Sequence, residues 1–239
     1  TASLSETMHR AGVLLRNFHE QPSSPNRQAR GTTKDDFLAW IDMAGRLASQ
    51  HPYGKRVFQA HGPRLMELAD QLLPSDLPIA PIHDDFAPRN VLVDPSQRVG
   101  IIDALEQWQG CPWEDLGHFL FSLSANKFQA MTFGRFFPSD ALREIRNAFI
   151  AGYYESARAP TRQLLLYEAQ VTLSKLAAQW YQVRTVTGWG KAAQRARLAV
   201  SMRWFARHIG DCLAQLASIT EDDGVVEFEG STQLAGGVR

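Results

Sequence analysis

The chain lacks several features by which whole classes of protein are recognised. Its 239 residues include two cysteines, too few for the disulfide framework of a small secreted domain. Lys and Arg balance Asp and Glu at 25 each, so no basic excess indicates a nucleic-acid partner. No apolar run is long enough to span a membrane, and no secretory signal pattern is present. We therefore expect a protein that binds neither nucleic acid nor membrane.

A glycine-rich phosphate loop is also missing, because the pattern G-x-G-x-x-G occurs nowhere in the chain. The nearest approach, residues 188–191, lies between two helical patterns without a preceding strand, and we interpret it as a helix-to-helix turn. What the chain does have is apolar residues, 44% of the total. A chain of this length can bury about 70–75% of its unfolded surface.

Helical patterns dominate the chain. Ser3 and Glu6 have the spacing of a capping box for a first helix. Apolar periodicity predicts further helices at about 33–49, 62–73, 113–124, 139–155, 161–185 and 191–217, with Ser139 as an N-cap. Residues 220–239 mix acidic and Gly-rich segments and predict a tail of low order, so the domain is expected over residues 1–219. The predicted fold class is α+β, mainly α.

The most informative segment is PIHDDFAPRNVLVD, residues 81–94, followed by a short apolar run that ends at Asp103. Protein kinases write their catalytic loop as H-R-D-L-x-x-x-N, and His83, Asp85 and Asn90 have the same spacing. Each residue alone would be read as a turn or strand-end residue. Their agreement in type and spacing favours phosphoryl transfer.

Two β-branched runs, residues 91–93 and 99–102, flank a good turn sequence and predict a β-hairpin. The hairpin places Asn90 at the start of one strand and Asp103 at the end of the other, where antiparallel pairing brings them side by side. Pro81, upstream, argues for an edge strand rather than a central one.

Phosphoryl transfer depends on positioning and on charge neutralisation, and Mg²⁺ prefers hard oxygen ligands. Asn90 and Asp103 can supply such oxygens, which leaves Asp85 to align an acceptor hydroxyl as a general base. His83 is a poor Mg²⁺ ligand because imidazole suits softer metals, so we expect it to orient the loop.

These residues resemble those of the aminoglycoside phosphotransferase and choline kinase group of small-molecule kinases, which shares the protein-kinase-like fold. The family pattern is H-G-D-x-x-x-x-N-x-L, then I-D-F or I-D-W, then a Pro followed by D-L-A. The chain has HDDFAPRNVL, IIDALEQW and CPWEDLGHFL in the same order. Residues 14–21, LLRNFHEQ, look like the family's upstream Leu-x-x-Leu-His helix end, so the resemblance runs from about residue 4 to residue 123.

The resemblance implies a C-terminal lobe in which a helical bundle carries a short catalytic β-hairpin. It implies ATP and magnesium as cofactors, and transfer to a hydroxyl of an aminoglycoside-, choline- or sugar-like small molecule. Asp85 is then the catalytic base, Asn90 and Asp103 bind magnesium, and Asp115 is the buried Asp that braces the loop. Arg89 is a candidate phosphate contact.

The sequence also departs from the family and protein-kinase patterns at several positions. Asp84 replaces the usual Gly of the loop, and Ala87 stands where protein kinases place a Lys, which favours a small-molecule acceptor. Glu106 and Trp108 are candidate substrate contacts because they closely follow the proposed metal carboxylate in the chain.

The nucleotide-binding N-terminal lobe of the family has no counterpart ahead of the first helix, and we expect activity to require such a lobe. ATP chemistry and free thiols fit a cytoplasmic location. Two alternatives remain open. One is a degenerate kinase-like binding module without catalysis. The other is a helical metal phosphohydrolase that uses the pair His83-Asp84, with His51 and His61 as further ligands.

Overall fold

The structure, a computed structural model, describes residues 3–22, 26–96, 98–104, 107–125, 138–155, 157–185 and 190–219. It is mainly helical with two small sheets, as the α+β expectation requires. The helices are α1 (Leu4–His19), α2 (Lys34–Ala48), α3 (Pro52–Leu72), α4 (Trp113–Ser124), α5 (Ser139–Tyr154), α6 (Thr161–Thr185) and α7 (Gly190–Ser218). The strands are β1 (Gln28–Ala29), β2 (Ala80–Pro81), β3 (Val91–Val93), β4 (Val99–Ile101) and β5 (Trp108–Gly110).

The segment between α3 and α4 contributes strands to two small sheets. Strands β3 and β4 form the predicted antiparallel hairpin, with Val91 opposite Ile101 and Val93 opposite Val99. In the other sheet the order is β1-β5-β2, with β1 parallel and β2 antiparallel to β5. Pro81 therefore lies in an edge strand, as its missing N–H predicts. Strand β1 falls within a segment that shows no strand pattern in the sequence.

Helix starts follow the capping rules in part. The Ser3 side chain accepts the Glu6 N–H at the start of α1, as expected. The predicted start of α3 at residue 62 is wrong, because the helix begins at Pro52 and continues through Pro63. Ser139 is also not a cap, since it is the first residue of α5 and follows Pro138, which makes no side-chain cap bond.

Helix α6 is the centre of the bundle. It packs against α2, α3, α4 and α7, and its residues 164–173 are all buried. A helix buried on every side leaves no solvated face for a charge, so its Glu168 must be paired inside the protein. Arg146 of α5 donates two hydrogen bonds to Glu168, at 2.8 and 2.7 Å, and His208 of α7 lies 2.9 Å from it. Burial would raise the pKa of Glu168, but the Arg146 charge and these hydrogen bonds lower it to about 2.

Helices α1 and α5 approach each other closely through two glycines. A Cβ at Gly12 would overlap the Phe149 carbonyl oxygen, and one at Gly152 would overlap the His9 carbonyl oxygen. The contact fixes α1 against the bundle, and α1 carries His19 at its C-terminal end.

We expect Gly152→Ala to lower the free energy of unfolding by about 1–3 kcal/mol, because the added methyl meets backbone rather than a movable side chain. Urea unfolding followed by circular dichroism measures this. Gly100→Ala is the control, since a Cβ there meets nothing within 4 Å, and a change within about 0.5 kcal/mol is expected. Equal effects of the two substitutions would contradict the packing argument.

No helix in the described part of the chain is both long and apolar enough to cross a membrane. The predicted tail at 220–239 and residues 188–189 of the predicted turn lie outside the described residues, and residues 190–191 belong to α7.

Candidate active site

The loop between β2 and β3 carries the kinase-like motif. Phe86 anchors it in the core, stacked on Phe119 with ring centroids 4.8 Å apart. His83 is fully buried, and its Nε2 donates to the Ile102 carbonyl oxygen at 2.9 Å. This bond joins the loop to the residue just before Asp103. His83 Nδ1 is buried without a hydrogen-bond partner among the described residues.

Asp115, near the start of α4, binds the loop backbone directly. Its Oδ2 accepts the His83 N–H at 2.6 Å, and its Oδ1 accepts the Asp84 N–H at 2.9 Å. His19 of α1 lies 3.0 Å from Oδ2, and its other ring nitrogen is 2.8 Å from the Tyr153 hydroxyl. The fully buried carboxylate thus has three donors, which compensates for its lost hydration. Asp115 thereby connects the loop backbone to α1 and α4, and its bracing role in the active enzyme stays a prediction.

Asp84 adopts a left-handed backbone conformation with φ of 72°, which explains why the family usually has Gly there. Its carboxylate pairs with Arg30, which also binds Glu114 at 2.6 Å. The Arg30 guanidinium lies 5.0 Å from the Trp108 ring centroid. Arg30 therefore compensates the extra negative charge that Asp84 brings to the loop.

Asp85 points to the surface side of the loop, with 42% of its side chain exposed. Arg89 lies 2.5 Å from both carboxylate oxygens, and His118 Nε2 lies 4.0 Å from one of them. Burial works to raise the pKa of Asp85, but the Arg89 hydrogen bonds and charge outweigh it and hold the pKa below its usual value. Asp85 is therefore an acceptor of hydrogen bonds at neutral pH.

Asn90 and Asp103 lie in neighbouring positions at the open end of the hairpin. The Ile102 N–H donates to the Asn90 carbonyl oxygen at 3.0 Å, which places Asp103 one residue beyond that contact. The buried Asn90 amide donates through Nδ2 to the Asp85 carbonyl oxygen at 2.9 Å. Because Nδ2 is used in that bond, Oδ1 is the Asn90 atom that can accept a hydrogen bond from a ligand or coordinate it. Asp103 is exposed and has φ of 59°, another left-handed residue at the loop.

A cavity of about 380 Å³ opens beside the loop, between α2, α4 and α6. Its lining includes Asp84, Glu114 and His118 from the loop and α4, and Lys175 from α6. Burial, aided by the Lys175 charge, lowers the pKa of His118 to about 4, so the ring is neutral and donates from Nδ1 to the Phe86 carbonyl oxygen at 2.9 Å. Burial raises the pKa of Glu114 to about 7, although the Arg30 charge opposes this.

The sequence model of the phosphotransferase enzyme family (APH) matches residues 2–164, which include the loop, the hairpin and Asp115. The chain belongs to that phosphotransferase family. Among solved structures, a glucosamine kinase (crystal form B) matches with a TM-score of 0.58 and 14% sequence identity, over 87% of this chain and 54% of the kinase. The chain thus spans about half the length of that kinase. At this identity the likeness shows the fold alone. No curated protein sequence matches the chain.

In this phosphotransferase-family chain, the structure brings together most of the residues that the motif singles out. His83, Asp85, Asn90 and Asp103 lie on the loop and hairpin, and Asp115 lies directly behind them. Arg89 contacts Asp85, so a phosphate contact by Arg89 stays a prediction. Trp108 lies in β5 under Arg30, and Glu106 falls outside the described residues.

Four residues at the site were missed by reasoning from the sequence: Arg30, His19, His118 and Lys175. Arg30 and Lys175 lie far from the motif in the chain, so no local spacing reveals them. His118 had a weak signal, since it follows Asp115 by three residues on a predicted helix and must share its face.

The alternative metal-phosphohydrolase pattern gains no support from the described residues. His83 and Asp84 lie on a loop rather than a helix, and His51 serves as the N-cap of α3. Within the described chain, the three residues spaced for a metal ion are Glu168, His208 and Cys212. Arg146 already binds both oxygens of Glu168.

The raised pKa of Glu114 gives a prediction on pH and stability. Because the folded pKa of about 7 lies above the ordinary value near 4.3, the stabilisation from proton binding is complete below about pH 4.3 and is lost as pH rises through 7. Since Gln mimics the protonated form, we expect the stability of Glu114→Gln relative to wild type to increase from pH 5 to pH 8. Urea unfolding at several pH values measures it, with exposed Glu67→Gln as control. A difference in stability between Glu114→Gln and wild type that stays constant from pH 5 to pH 8 would contradict the raised pKa of Glu114.

Proposed function

We propose that this chain is the C-terminal, catalytic lobe of a kinase-like phosphotransferase that transfers the γ-phosphoryl group of ATP, with magnesium, to a hydroxyl of a small molecule. The acceptor would be aminoglycoside-, choline- or sugar-like. The observation that supports the proposal is that the hairpin pairs Asn90 with Ile102, the residue before Asp103, while the Asn90 amide donates to the Asp85 carbonyl oxygen. Family membership supports a phosphotransferase in general.

Asn90 and Asp103 would hold the metal. The Asn90 side chain has its Nδ2 tied to the Asp85 carbonyl, so its orientation is fixed before any ligand arrives. Asp103 adds a full negative charge from an exposed position. One amide and one carboxylate oxygen suit magnesium, which keeps several waters and phosphate oxygens in its shell. The metal would neutralise charge on the phosphates as the phosphoryl group moves.

Asp85 would accept the hydrogen bond of the acceptor hydroxyl and align it for attack. Its low pKa makes it a weak base, which is sufficient for a loose transition state that needs orientation more than early proton removal. Asp85 must then exchange its Arg89 contact for the hydroxyl. An Arg released in this way carries donors in a planar fork that matches phosphate geometry, which supports Arg89 as a phosphate contact.

The nucleotide would need a second set of contacts. This chain spans about half of the glucosamine kinase that it resembles in fold. We propose that an N-terminal nucleotide-binding lobe completes the ATP site in the intact protein.

ATP as donor and the two free cysteines, Cys111 and Cys212, fit a cytoplasmic location. A degenerate binding module is the alternative, and turnover by the intact protein decides between the two.

We expect Asp85→Asn to lower the turnover number of the intact protein by about 10²- to 10⁴-fold, because general-base and orienting groups contribute at this level. The measurement is acceptor-dependent ADP release from ATP, with hexoses, amino sugars, choline and aminoglycosides as acceptors. Asp94→Asn at the hairpin turn is the matched control and is expected to stay active. Wild-type turnover by the Asp85 variant would contradict the assignment of Asp85 as the general base.

We expect Asp103→Asn to raise the magnesium concentration that ATP binding requires. Loss of an outer-shell partner already lowers metal affinity about 10- to 100-fold, so loss of a ligand charge should do at least as much. Calorimetric titration of the intact protein with ATP at stepped magnesium concentrations measures it. Asp140→Asn on the exposed start of α5 controls for the charge change. An unchanged magnesium dependence would remove Asp103 from the metal site.

A further inference from the structure

The cavity of about 380 Å³ is lined by Asp84 and by His118, whose Nε2 lies 4.0 Å from Asp85. Its acidic side chains are already compensated, because Arg30 pairs with both Asp84 and Glu114. The carboxylate of Asp115 accepts two backbone N–H groups and contacts His19. Each of these three carboxylates therefore has a cationic or N–H partner, and Glu114 Oε2 is an oxygen that is buried without a hydrogen-bond partner of its own among the described residues.

Lys175 supplies the opposite charge. It lies on α6, lines the cavity and is partly buried. Within the described part of the chain, its ammonium group has no hydrogen bond or ion pair, although Asp85 and Asp84 act on it at longer range. Burial lowers the pKa of Lys175, and the Asp85 charge only partly offsets this. A partly buried ammonium without a partner is costly, and an anionic ligand would remove that cost.

The neighbours of Lys175 suit a hydroxylated ligand. Ser174 and Gln170 of α6 also line the cavity, and the Gln170 amide donates to the Ser174 hydroxyl at 3.0 Å. Trp40 of α2 adds an aromatic wall. A small molecule with several hydroxyls and one negative group would find hydrogen bonds, an apolar face and a counter-charge in one place.

On the basis of the proposed function, we propose that the acceptor of this phosphotransferase is an anionic polyol, whose carboxylate or phosphate group binds Lys175 while one of its hydroxyls faces Asp85. The inference separates this chain from a kinase for polycationic acceptors. It also differs from the function that the structural neighbour's name, glucosamine kinase, describes, since glucosamine carries a positive charge at neutral pH.

The test compares three hexoses of nearly equal size and different charge: glucuronate, glucose and glucosamine. Their affinities for the intact wild-type protein are measured by calorimetry without ATP, so the readout does not require turnover. We expect glucuronate to bind about 10- to 100-fold more tightly than glucose, the range for a hydrogen bond to a charged group, and glucosamine to bind least tightly. Equal affinities, a preference for glucosamine, or no glucuronate binding up to about 10 mM would overturn the proposal.

Substitutions at Lys175 test whether this residue causes the preference for glucuronate over glucose. Lys175→Met is expected to abolish the advantage of glucuronate over glucose, and Lys175→Glu to reverse it in favour of glucosamine. Lys175→Arg keeps the charge and is expected to keep the preference for glucuronate. Lys55→Met on the exposed side of α3 controls for the loss of a lysine elsewhere. Circular dichroism verifies that each variant is folded. A glucuronate preference that survives in Lys175→Met would overturn the role of Lys175.

The outcome separates this inference from the proposed function. If glucuronate binds through Lys175 but no acceptor yields ADP from ATP, the cavity assignment holds and the kinase proposal fails. If acceptors are phosphorylated but glucosamine is preferred over glucuronate, the kinase proposal holds and the acceptor class is wrong.

Discussion

The carboxylate of Asp115 is the constraint on which the site depends. It lies at the start of α4, is fully buried, and binds the backbone N–H groups of His83 and Asp84. His19 brings α1 to the same carboxylate. A buried charge must keep all its donors, since leaving it with fewer costs several kcal/mol. The first helix, the loop and α4 are therefore held in one arrangement. Movement of the loop would expose the Asp115 carboxylate or remove its hydrogen-bond donors.

Arg30 compensates the unfavourable negative charge of Asp84 in the loop. An Asp in the left-handed region, next to Asp85 and Asp115, adds both backbone strain and negative charge. Arg30 binds Asp84 and Glu114 together and lies over Trp108, so one side chain joins β5, the loop and α4. The result is a cavity wall in which one guanidinium binds two of the lining carboxylates. The Lys175 ammonium on α6, in contrast, has no hydrogen bond or ion pair in the part of the chain that the structure describes.

Prediction from the sequence succeeded where the determining interactions are local. The hairpin follows from two β-branched runs and a turn, and α4 and α6 have the predicted bounds because apolar periodicity marks them. It failed at α3, which begins at Pro52 rather than at the predicted residue 62. Gly62 instead makes room for the Phe58 ring, and helical backbone continues through Pro63 because tertiary packing outweighs its local cost.

The sequence by itself determined the helical class, the hairpin and the identities of Asp85, Asn90 and Asp103 as candidate site residues, because residue types at fixed short spacings carry that information. Only the tertiary structure decided the electrostatics around them. Arg30 and Lys175 reach the site from segments on either side of the motif, and which charge meets which carboxylate depends on how α2, α4 and α6 pack. Charge acts through space and depends on burial, neither of which can be read from spacing along the chain.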